Sequence, residues 1–245
     1  MPRITLVVPC FNEEQRLDVG VFRAFELSGY DLQFLFVNDG STDGTLRVLQ
    51  SLRDSNPSRF AILELEKNSG KAEAVRRGIL KAADDRPDFV GFWDADLATP
   101  LTELPSFLDV FARPNIEIIF GARVRLLGRE ISRRPDRHYL GRVGATLISQ
   151  TLGLAIYDTQ CGAKLFRMND AIPQVFGRPF LSRWIFDVEI IARYLKLWGR
   201  DRVARSLYEL PVTVWHDVKG SKVRSTDFVH ALRDLWEIRR EYRTK

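Results

Sequence analysis

The sequence predicts an α/β fold with a mostly parallel sheet and helices on both faces. Four β-rich apolar runs support this fold, because each is followed by a polar loop and then by apolar residues at helical spacing. The runs cover residues 4–8, 32–37, 61–63 and 89–93. Strands that alternate with helices in this way form parallel sheets whose faces the helices cover. The chain shows no internal repeat and no linker, and we expect a single domain.

The polar loops after the four runs form the predicted binding edge. They occupy residues 9–13, 38–43, 67–71 and 94–96. Ligands of open parallel sheets bind at the carboxyl ends of the strands, so we expect these loops to lie together. None of the loops has the glycine pattern of a dinucleotide site or of a P-loop, which argues against both. Asn12 is expected to cap the first helix, and Asp39 could form an Asx turn.

The fourth run ends at two carboxylates, Asp94 and Asp96, with Ala95 between them. Side chains two positions apart in an extended chain point the same way, so these like charges repel. Mg2+ or Mn2+ would relieve the repulsion, because such cations take oxygen ligands and keep positions for substrate phosphates. The alternative is a polar turn after a buried strand, and an isolated Asp-x-Asp pattern does not decide between the two.

The composition is that of an ordinary globular protein, with 45% hydrophobic and 28% charged residues. No stretch reaches the ~18 uninterrupted apolar residues of a membrane-spanning helix. The first apolar run is followed by acidic residues and by no small-residue cleavage site, so we interpret it as a strand and not as a signal peptide. The two cysteines, Cys10 and Cys161, suit a reducing cytoplasm, although the sequence leaves a bridge between them open.

The net charge of +5 is placed unevenly. Residues 123–142 contain seven arginines against Glu130 and Asp136. This asymmetry predicts an anionic partner, either phosphate, nucleic acid or a lipid headgroup. We expect the segment to form a loop, followed by a helix over residues 140–154 and by a β-rich run over residues 203–215.

The last segment predicts an amphipathic basic helix over residues 225–245, after a domain of residues 1–224. Its helical stripe consists of Phe228, Leu232, Leu235, Trp236 and Arg239. Such a helix either docks on the domain or lies on a membrane surface, and the sequence favours neither.

Eight segments together resemble the family 2 glycosyltransferases of GT-A (Rossmann-like) fold. In order along the chain they are VVPCFNEE, FVNDGSTDGT, KNSGKAEAVRRG, DADLATP, FGAR, DTQCGAKLF, RWIFDVEI and GSKVR. The set is similar to the branch that contains dolichyl-phosphate glucosyltransferase and dolichyl-phosphate mannose synthase. DTQCGAKLF with RWIFDVEI is more similar to the glucosyltransferase side.

The resemblance implies a donor site for a nucleotide sugar, UDP-glucose or GDP-mannose. The residues implied for its base and ribose are Pro9, Asn12, Glu13 and Asp39. The residues implied for its diphosphate are Lys71, Ser221, Lys222 and Arg224. Lys71 starts a helix, where amide groups and charge favour a phosphate, and Lys222 is predicted to be catalytic because a fixed cation stabilises the leaving nucleotide. A solvated lysine in a turn is the alternative for Lys71.

The resemblance also implies that Asp94 and Asp96 are catalytic and hold Mg2+ or Mn2+. Asp96 would be the more direct ligand, and Asp94 would be shared with the ribose of the donor. Mannose synthases commonly carry a side chain able to reach the metal where this chain has Ala98. His216 is a candidate replacement, because a neutral imidazole can bind Mn2+. The alternative is a surface or packed histidine.

The resemblance implies a lipid phosphate as acceptor. The residues predicted to bind it are Arg123, Arg133, Arg134, Arg137 and Gln160. An arginine fork can grip two phosphate oxygens, whereas the alternative is a solvated basic loop. Asp187 and Glu189 stand where relatives with hydroxyl acceptors place a base, although an ionised phosphate needs none. Asp187, Glu189 and Asp158 could each instead bond sugar hydroxyls or a neighbouring arginine.

The sequence therefore predicts an inverting, metal-dependent glycosyltransferase that moves a hexose, with glucose from UDP-glucose preferred, to a polyprenyl or dolichyl phosphate. We expect the protein in the cytoplasm, bound peripherally at the cytoplasmic face of the membrane. The sequence does not decide whether it forms a homo-oligomer. A nucleic-acid partner is not expected, because the aromatic stacking pattern of single-strand readers is missing. The alternatives are a hydroxyl acceptor on a glycan or small molecule, and a nucleotide-sugar or anionic-lipid binding module without turnover.

Overall fold

A computed structural model of the chain describes residues 1–132, 135–217 and 226–242, and it defines their side chains except in segments 135–142 and 226–229. The chain divides into two compact units. The first consists of Met1–Leu97 with Gly162–Pro179, and the second consists of Ala98–Cys161 with Phe180–Lys245. The predicted boundary between residues 224 and 225 falls outside the described residues.

The described residues form nine strands and nine α-helices. The strands are β1 (Arg3–Cys10), β2 (Asp31–Asp39), β3 (Phe60–Leu65), β4 (Phe89–Trp93), β5 (Ile118–Ala122), β6 (Glu130–Ser132), β7 (Ala163–Arg167), β8 (Leu207–Pro211) and β9 (Val214–His216). The helices are α1 (Val19–Ala24), α2 (Thr45–Ser55), α3 (Lys71–Ala83), α4 (Leu104–Val110), α5 (Pro135–Leu152), α6 (Ala171–Phe176), α7 (Phe186–Trp198), α8 (Arg200–Ser206) and α9 (Thr226–Tyr242).

The first unit contains the predicted mostly parallel sheet, with the strand order β3-β2-β1-β4-β7. The first four strands pair in parallel, and β7 pairs with β4 antiparallel from Phe89 opposite Arg167 to Trp93 opposite Ala163. Strand β4 is buried at all five positions, as expected for a strand covered on both faces. Helix α3 packs closely on the sheet because Gly78 has no side chain: a Cβ there would lie 2.3 Å from Cγ1 of Val7.

In the second unit, β5 pairs in parallel with β8, and β6 pairs in parallel with β9. Helix α7 is the centre of this unit, because it contacts α5, α8 and α9 and buries ten of its thirteen residues. Two expectations are wrong here. The segment of residues 123–142 is not a loop throughout, since β6 and the start of α5 lie in it. The run of residues 203–215 is not extended throughout, because α8 buries Val203 on one helical face and continues to Ser206.

Helix α9 confirms the predicted terminal helix, and its described side chains dock on the second unit. Leu235 and Ile238 are 8% and 1% exposed, and α9 contacts α5 and α7. Leu232 and Trp236 are 42% and 59% exposed, so the helix also has an uncovered apolar side. Among the described residues, no helix has the length and apolar character needed to cross a bilayer.

Both cysteines, Cys10 and Cys161, are buried free thiols, so the bridge left open by the sequence is absent between these two described residues. Burial raises the pKa of the Cys10 thiol well above its ordinary value. A thiol in this state is a packing residue and not a nucleophile.

Candidate active site

The first two predicted loops are joined through Asn12. Its side-chain Oδ1 accepts a hydrogen bond of 2.9 Å from the backbone N–H of Thr42, and its own N–H donates to Oγ of Ser41 at 3.1 Å. Asn12 has a φ of 53°, a left-handed conformation that asparagine tolerates. The expectation that Asn12 caps the first helix is wrong, because Asp18 accepts from the N–H of Val21 and caps α1.

Asp39 joins the second loop to the third. Its two carboxylate oxygens accept hydrogen bonds from the backbone N–H groups of Ser69 and Gly70, at 2.7 and 2.8 Å. These amides lie at the start of α3, where the helix dipole favours a negative charge. The Asx turn considered for Asp39 is therefore wrong, and the side chain instead fixes the loop that leads into Lys71.

Lys71 and Asp94 join the third loop to the fourth. Nζ of Lys71 lies 2.5 Å from Oδ1 of Asp94. On its other side Asp94 lies against Gly162, where a Cβ would come within 2.0 Å of Oδ2. The absence of a side chain at Gly162 thus leaves the space that the Asp94 carboxylate occupies.

Arg16 joins the first loop to the fourth, and sequence reasoning missed it. Its Nη2 lies 3.4 Å from Oδ2 of Asp96, and its Nε lies 3.5 Å from Oε2 of Glu13. Glu13 is buried and is held by a hydrogen bond of 2.7 Å from its N–H to Oγ1 of Thr45. Pro9 is half-buried at the end of β1. The four loops therefore meet at one edge of the first unit, as predicted.

The carboxylates at this edge fit a hard divalent cation. Asp94 and Asp96 supply oxygen ligands, and their side chains are 28% and 27% exposed, so a ligand can reach them. Each already faces a cationic side chain, so a bound cation would compete with Lys71 and Arg16 for these carboxylates. No set of three or more His, Cys, Asp or Glu side chains in the described parts of the chain is arranged for a metal. Two carboxylates match Mg2+, which takes its remaining ligands from water and substrate phosphates.

In the second unit, Arg123 forms a bidentate ion pair with Asp158. Nε and Nη2 of the arginine lie 2.7 and 2.8 Å from the two carboxylate oxygens. The guanidinium also lies over the Trp215 ring, 5.3 Å from its centroid. Asp158 thus bonds a neighbouring arginine, one of the two roles considered for it. Arg123 is already engaged within the chain, so its predicted contact with an acceptor phosphate would have to compete with Asp158.

Glu209 holds Asp158 in place. Its carboxylate accepts hydrogen bonds from the backbone N–H groups of Tyr157 and Asp158, each at 2.8 Å. Burial raises the pKa of the Glu209 carboxyl above its ordinary value, and the nearby Asp158 charge raises it further, against the effect of the two amides. Glu209 is a positioning residue that the sequence did not reveal, because no motif contains it.

Gln160 and Asp187, both predicted site residues, lie together in the second unit. Nε2 of Gln160 donates to Oδ2 of Asp187 at 3.4 Å. Asp187 is the second residue of α7 and is 5% exposed. The start of α7 favours its negative charge.

Glu189 is fully buried inside the second unit, and its carboxylate makes an ion pair and hydrogen bonds within that unit. Oε1 lies 2.7 Å from Nη2 of Arg193 and accepts a hydrogen bond of 2.8 Å from the Tyr242 hydroxyl. Oε2 accepts from the N–H of Leu181 at 2.7 Å. Burial and the Glu189 charge raise the pKa of Tyr242 to about 12, so this hydroxyl remains a donor. Glu189 ties α7 to α9, and we assign it no role as a base.

Of the remaining predicted residues, only His216 has a described side chain. His216 has an exposed side chain, and its N–H donates to the Ala98 carbonyl at 3.0 Å. Its part in metal binding stays a prediction. Arg133, Arg134, Ser221, Lys222 and Arg224 lie outside the described residues, as does the side chain of Arg137.

A parallel sheet with charged loops at the carboxyl ends of its strands is typical of α/β proteins that bind a ligand at that edge. Residues 5–172 match the family model described as glycosyl transferase family 2, and the chain belongs to this family.

Similar proteins agree with this family. The dolichyl-phosphate beta-glucosyltransferase of Dictyostelium discoideum is 30% identical over 254 residues, which span 98% of this chain and 74% of the relative. Its namesakes from Saccharomyces cerevisiae and Homo sapiens are 30% and 29% identical, and the matches cover 98% and 99% of this chain and 75% and 76% of the relatives.

Solved structures share the predicted GT-A (Rossmann-like) fold. A crystal structure of glucosyl-3-phosphoglycerate synthase from Mycobacterium tuberculosis with UDP has a TM-score of 0.65 and 16% sequence identity, over 97% of this chain and 80% of that chain. A second structure of that enzyme, with Mn2+, UDP and glucosyl-3-phosphoglycerate, has a TM-score of 0.62 and 17% identity, over 98% of this chain and 80% of that chain. At these identities the likeness concerns the fold alone.

Proposed function

We propose that this chain is an inverting glucosyltransferase that uses UDP-glucose, a polyprenyl or dolichyl phosphate and Mg2+ or Mn2+. The observation that carries the proposal is the gathering of Asp94 and Asp96 at one sheet edge, each within ion-pair distance of a cationic side chain. The relatives that are about 30% identical over nearly the whole chain, named dolichyl-phosphate beta-glucosyltransferases, support the choice of sugar and acceptor.

The first two loops would hold the nucleoside. Asp39 has both oxygens bonded to amides of the third loop, and each oxygen has a second lone pair for a ribose hydroxyl or a base N–H. Glu13 lies beside Arg16 and would accept from the base, with Pro9 and Asn12 shaping the loop around it. This division leaves the fourth loop for the diphosphate.

Asp94 and Asp96 would hold the divalent cation, which when bound neutralises the charge of the leaving diphosphate. Lys71 is the first residue of α3 and would donate to a diphosphate oxygen from the positive end of that helix. Lys222 and Arg224 would add positive charge from the segment after β9. Fixed positive charge around the leaving group is the largest expected contribution to the rate.

The transfer itself needs no strong base. An oxygen of the acceptor phosphate forms a bond to the anomeric carbon, while the bond from that carbon to the diphosphate breaks and its electron pair leaves with the nucleotide. Attack from the face opposite the leaving group inverts the configuration. Asp187, held by Gln160, would then bind a sugar hydroxyl. The acceptor phosphate would be bound by Arg123, Arg133, Arg134 and Arg137.

The acceptor is a lipid, so the proposal includes peripheral contact with the cytoplasmic face of a membrane. Helix α9 supports this, because exposed Leu232 and Trp236 stand among exposed arginines at positions 233, 239 and 240. Apolar side chains with basic neighbours are the pattern of an interfacial helix.

The test is a transfer assay with Mn2+, radiolabelled UDP-glucose and a short-chain polyprenyl phosphate. We expect a product that mild acid hydrolyses, since a glycosyl phosphodiester is acid-labile. Replacement of Asp96 by Asn should abolish transfer, whereas Asp109→Asn, at an exposed position of α4, should not change it. Lack of transfer by the wild type would overturn the proposal. An acid-stable product would replace the lipid phosphate with a hydroxyl acceptor.

A further inference from the structure

We propose that the loop tip formed by Leu126 and Leu127 inserts into the surface of an anionic lipid bilayer. The two side chains are 51% and 105% exposed. Single exposed leucines are common on proteins, but adjacent ones at the point of a loop present a contiguous apolar surface to whatever the loop meets. This proposal rests on the proposed function and specifies how the enzyme would meet its lipid.

A tight turn places these leucines at the tip. The N–H of Arg129 donates to the carbonyl of Leu126 at 3.2 Å, which closes a four-residue turn with Leu127 and Gly128 in the middle. Gly128 has a φ of 78°, the positive value that the third residue of a type II turn requires. The turn points Leu127 outward in place of folding it back onto the chain.

The base of the loop is fixed at both ends. Arg123 precedes the tip and is held by two hydrogen bonds to Asp158, at 2.7 and 2.8 Å. After the tip, the N–H of Glu130 donates to the Thr213 carbonyl at 2.8 Å, and β6 continues this pairing along β9. An apolar tip on an anchored base can enter a bilayer without first being ordered, so it avoids that entropic cost.

The positive charge around the tip favours an anionic partner. Arg125 and Arg129 flank the leucines and are exposed, and Arg129 also donates to Oγ1 of Thr213. The one acidic residue of positions 123–130 is the exposed Glu130, so arginines outnumber it three to one. Arginines attract anionic headgroups while the leucines between them reach the acyl boundary, which is the combination that interfacial membrane binding uses. The tip begins three residues after Arg123, a predicted acceptor residue, so insertion here would bring the end of β5 to a membrane-borne phosphate.

The test is co-sedimentation of the full chain with vesicles of phosphatidylcholine alone or mixed with phosphatidylserine, with no sugar nucleotide present. We expect stronger binding of the wild type to the mixed vesicles. The double variant Leu126→Ser, Leu127→Ser should bind them at least about tenfold more weakly, because buried apolar area is lost. Arg125→Gln should weaken binding about fivefold. The matched control Leu197→Ser removes a leucine that is 39% exposed at the end of α7 and should bind like the wild type.

Unchanged vesicle binding by the double leucine variant would overturn the proposal, and so would wild-type binding that ignores phosphatidylserine. A wild-type dimer that the double variant converts to a monomer would assign the leucines to contact between copies and also overturn it. Transfer to a short-chain, water-soluble acceptor keeps the two proposals apart. The double variant should retain that activity, whereas absence of the activity in the wild type would count against the proposed function alone.

Discussion

Nη2 of Arg16 lies 3.4 Å from Oδ2 of Asp96, so a cation of the chain already faces the carboxylate predicted to bind the metal. Both side chains are 27% exposed, which places the pair between a surface ion pair and a buried one. Arg16 also lies near Glu13 and so connects the predicted nucleoside loop to the predicted metal loop. The arginine therefore competes with the metal for one carboxylate while remaining tied to another.

The first prediction concerns the competition between Arg16 and the metal for Asp96. Arg16→Ala should bind Mn2+ about two- to fivefold more tightly in the absence of donor, because a partly exposed ion pair is worth at most ~1 kcal/mol. Titration calorimetry measures the affinity without any turnover. Arg47→Ala is the control, since Arg47 is 82% exposed and lies 3.8 Å from Glu14. Weaker Mn2+ binding by Arg16→Ala would mean that Arg16 positions Asp96 for the metal.

The second prediction concerns Gly162. In Gly162→Ala the new Cβ would come within 2.0 Å of Oδ2 of Asp94, so the carboxylate has to rotate away. A flexible side chain can move at little cost, and the free energy of unfolding should fall by less than ~1.5 kcal/mol. Transfer activity should fall at least about tenfold, which is ~1.4 kcal/mol in the barrier.

Gly144→Ala in α5 is the matched control for this substitution, because a Cβ at Gly144 meets open space. In a helix interior the change should stabilise by up to ~1 kcal/mol and leave transfer unchanged. Equal activity of the two variants would show that the position of the Asp94 carboxylate does not matter for transfer.

The third prediction separates Glu189 from the chemistry. Glu189 and Arg193 are 0% and 8% exposed, and Glu189→Gln removes the negative charge that lies 2.7 Å from the arginine. Loss of one member of a buried pair typically costs about 3–5 kcal/mol, which urea unfolding should detect. Glu237→Gln tests an i,i+4 pair of the same spacing, with Arg233 79% exposed, and should cost at most ~0.5 kcal/mol. Loss of transfer by fully folded Glu189→Gln would instead restore Glu189 as a base.

The gathering of the four loops could be predicted from the sequence because it follows from local pattern. Each strand-loop-helix unit can be recognised within about twenty residues. Because parallel strands place their carboxyl ends on one edge of the sheet, the loops of these units are then predicted to lie together. The pattern located the loops that contain Asp39, Lys71, Asp94 and Asp96, and the resemblance singled out Asp39 and Lys71 within them. Even the wrong expectation for Asn12 concerned its hydrogen-bond partner and not its location.

The residues that sequence reasoning missed are joined over long distances in the chain. Arg16 meets Asp96 across 80 positions, and Glu209 meets Asp158 across 51. Such pairs depend on tertiary packing, and a lone arginine or glutamate has no periodic signal. The antiparallel strand β7 was equally hidden, since Ala163–Arg167 follows the long helix α5 and not a strand-helix repeat.

The fourth prediction is a pH dependence that Glu209 produces. Burial, together with the Asp158 charge, raises the pKa of Glu209 above its ordinary value of 4.5 in the folded state, although two amides oppose the shift. The folded protein then holds a proton that the unfolded chain has lost. The contribution of Glu209 to stability is therefore fully present below pH 4.5 and falls as the pH rises through the raised pKa. The slope in that window is about 1.4 kcal/mol per pH unit for one proton.

Urea unfolding of the wild type and of Glu209→Gln across this window measures the effect. The variant has no proton to lose, and its side-chain oxygen still accepts from an amide, so its stability should fall less steeply with rising pH. Glu66→Gln removes a carboxyl from an exposed position and should follow the wild-type curve. A difference curve between wild type and Glu209→Gln that is flat with pH would mean that Glu209 titrates alike in both states. The burial of this carboxyl beside Asp158 would then make no pH-dependent contribution to the free energy of unfolding.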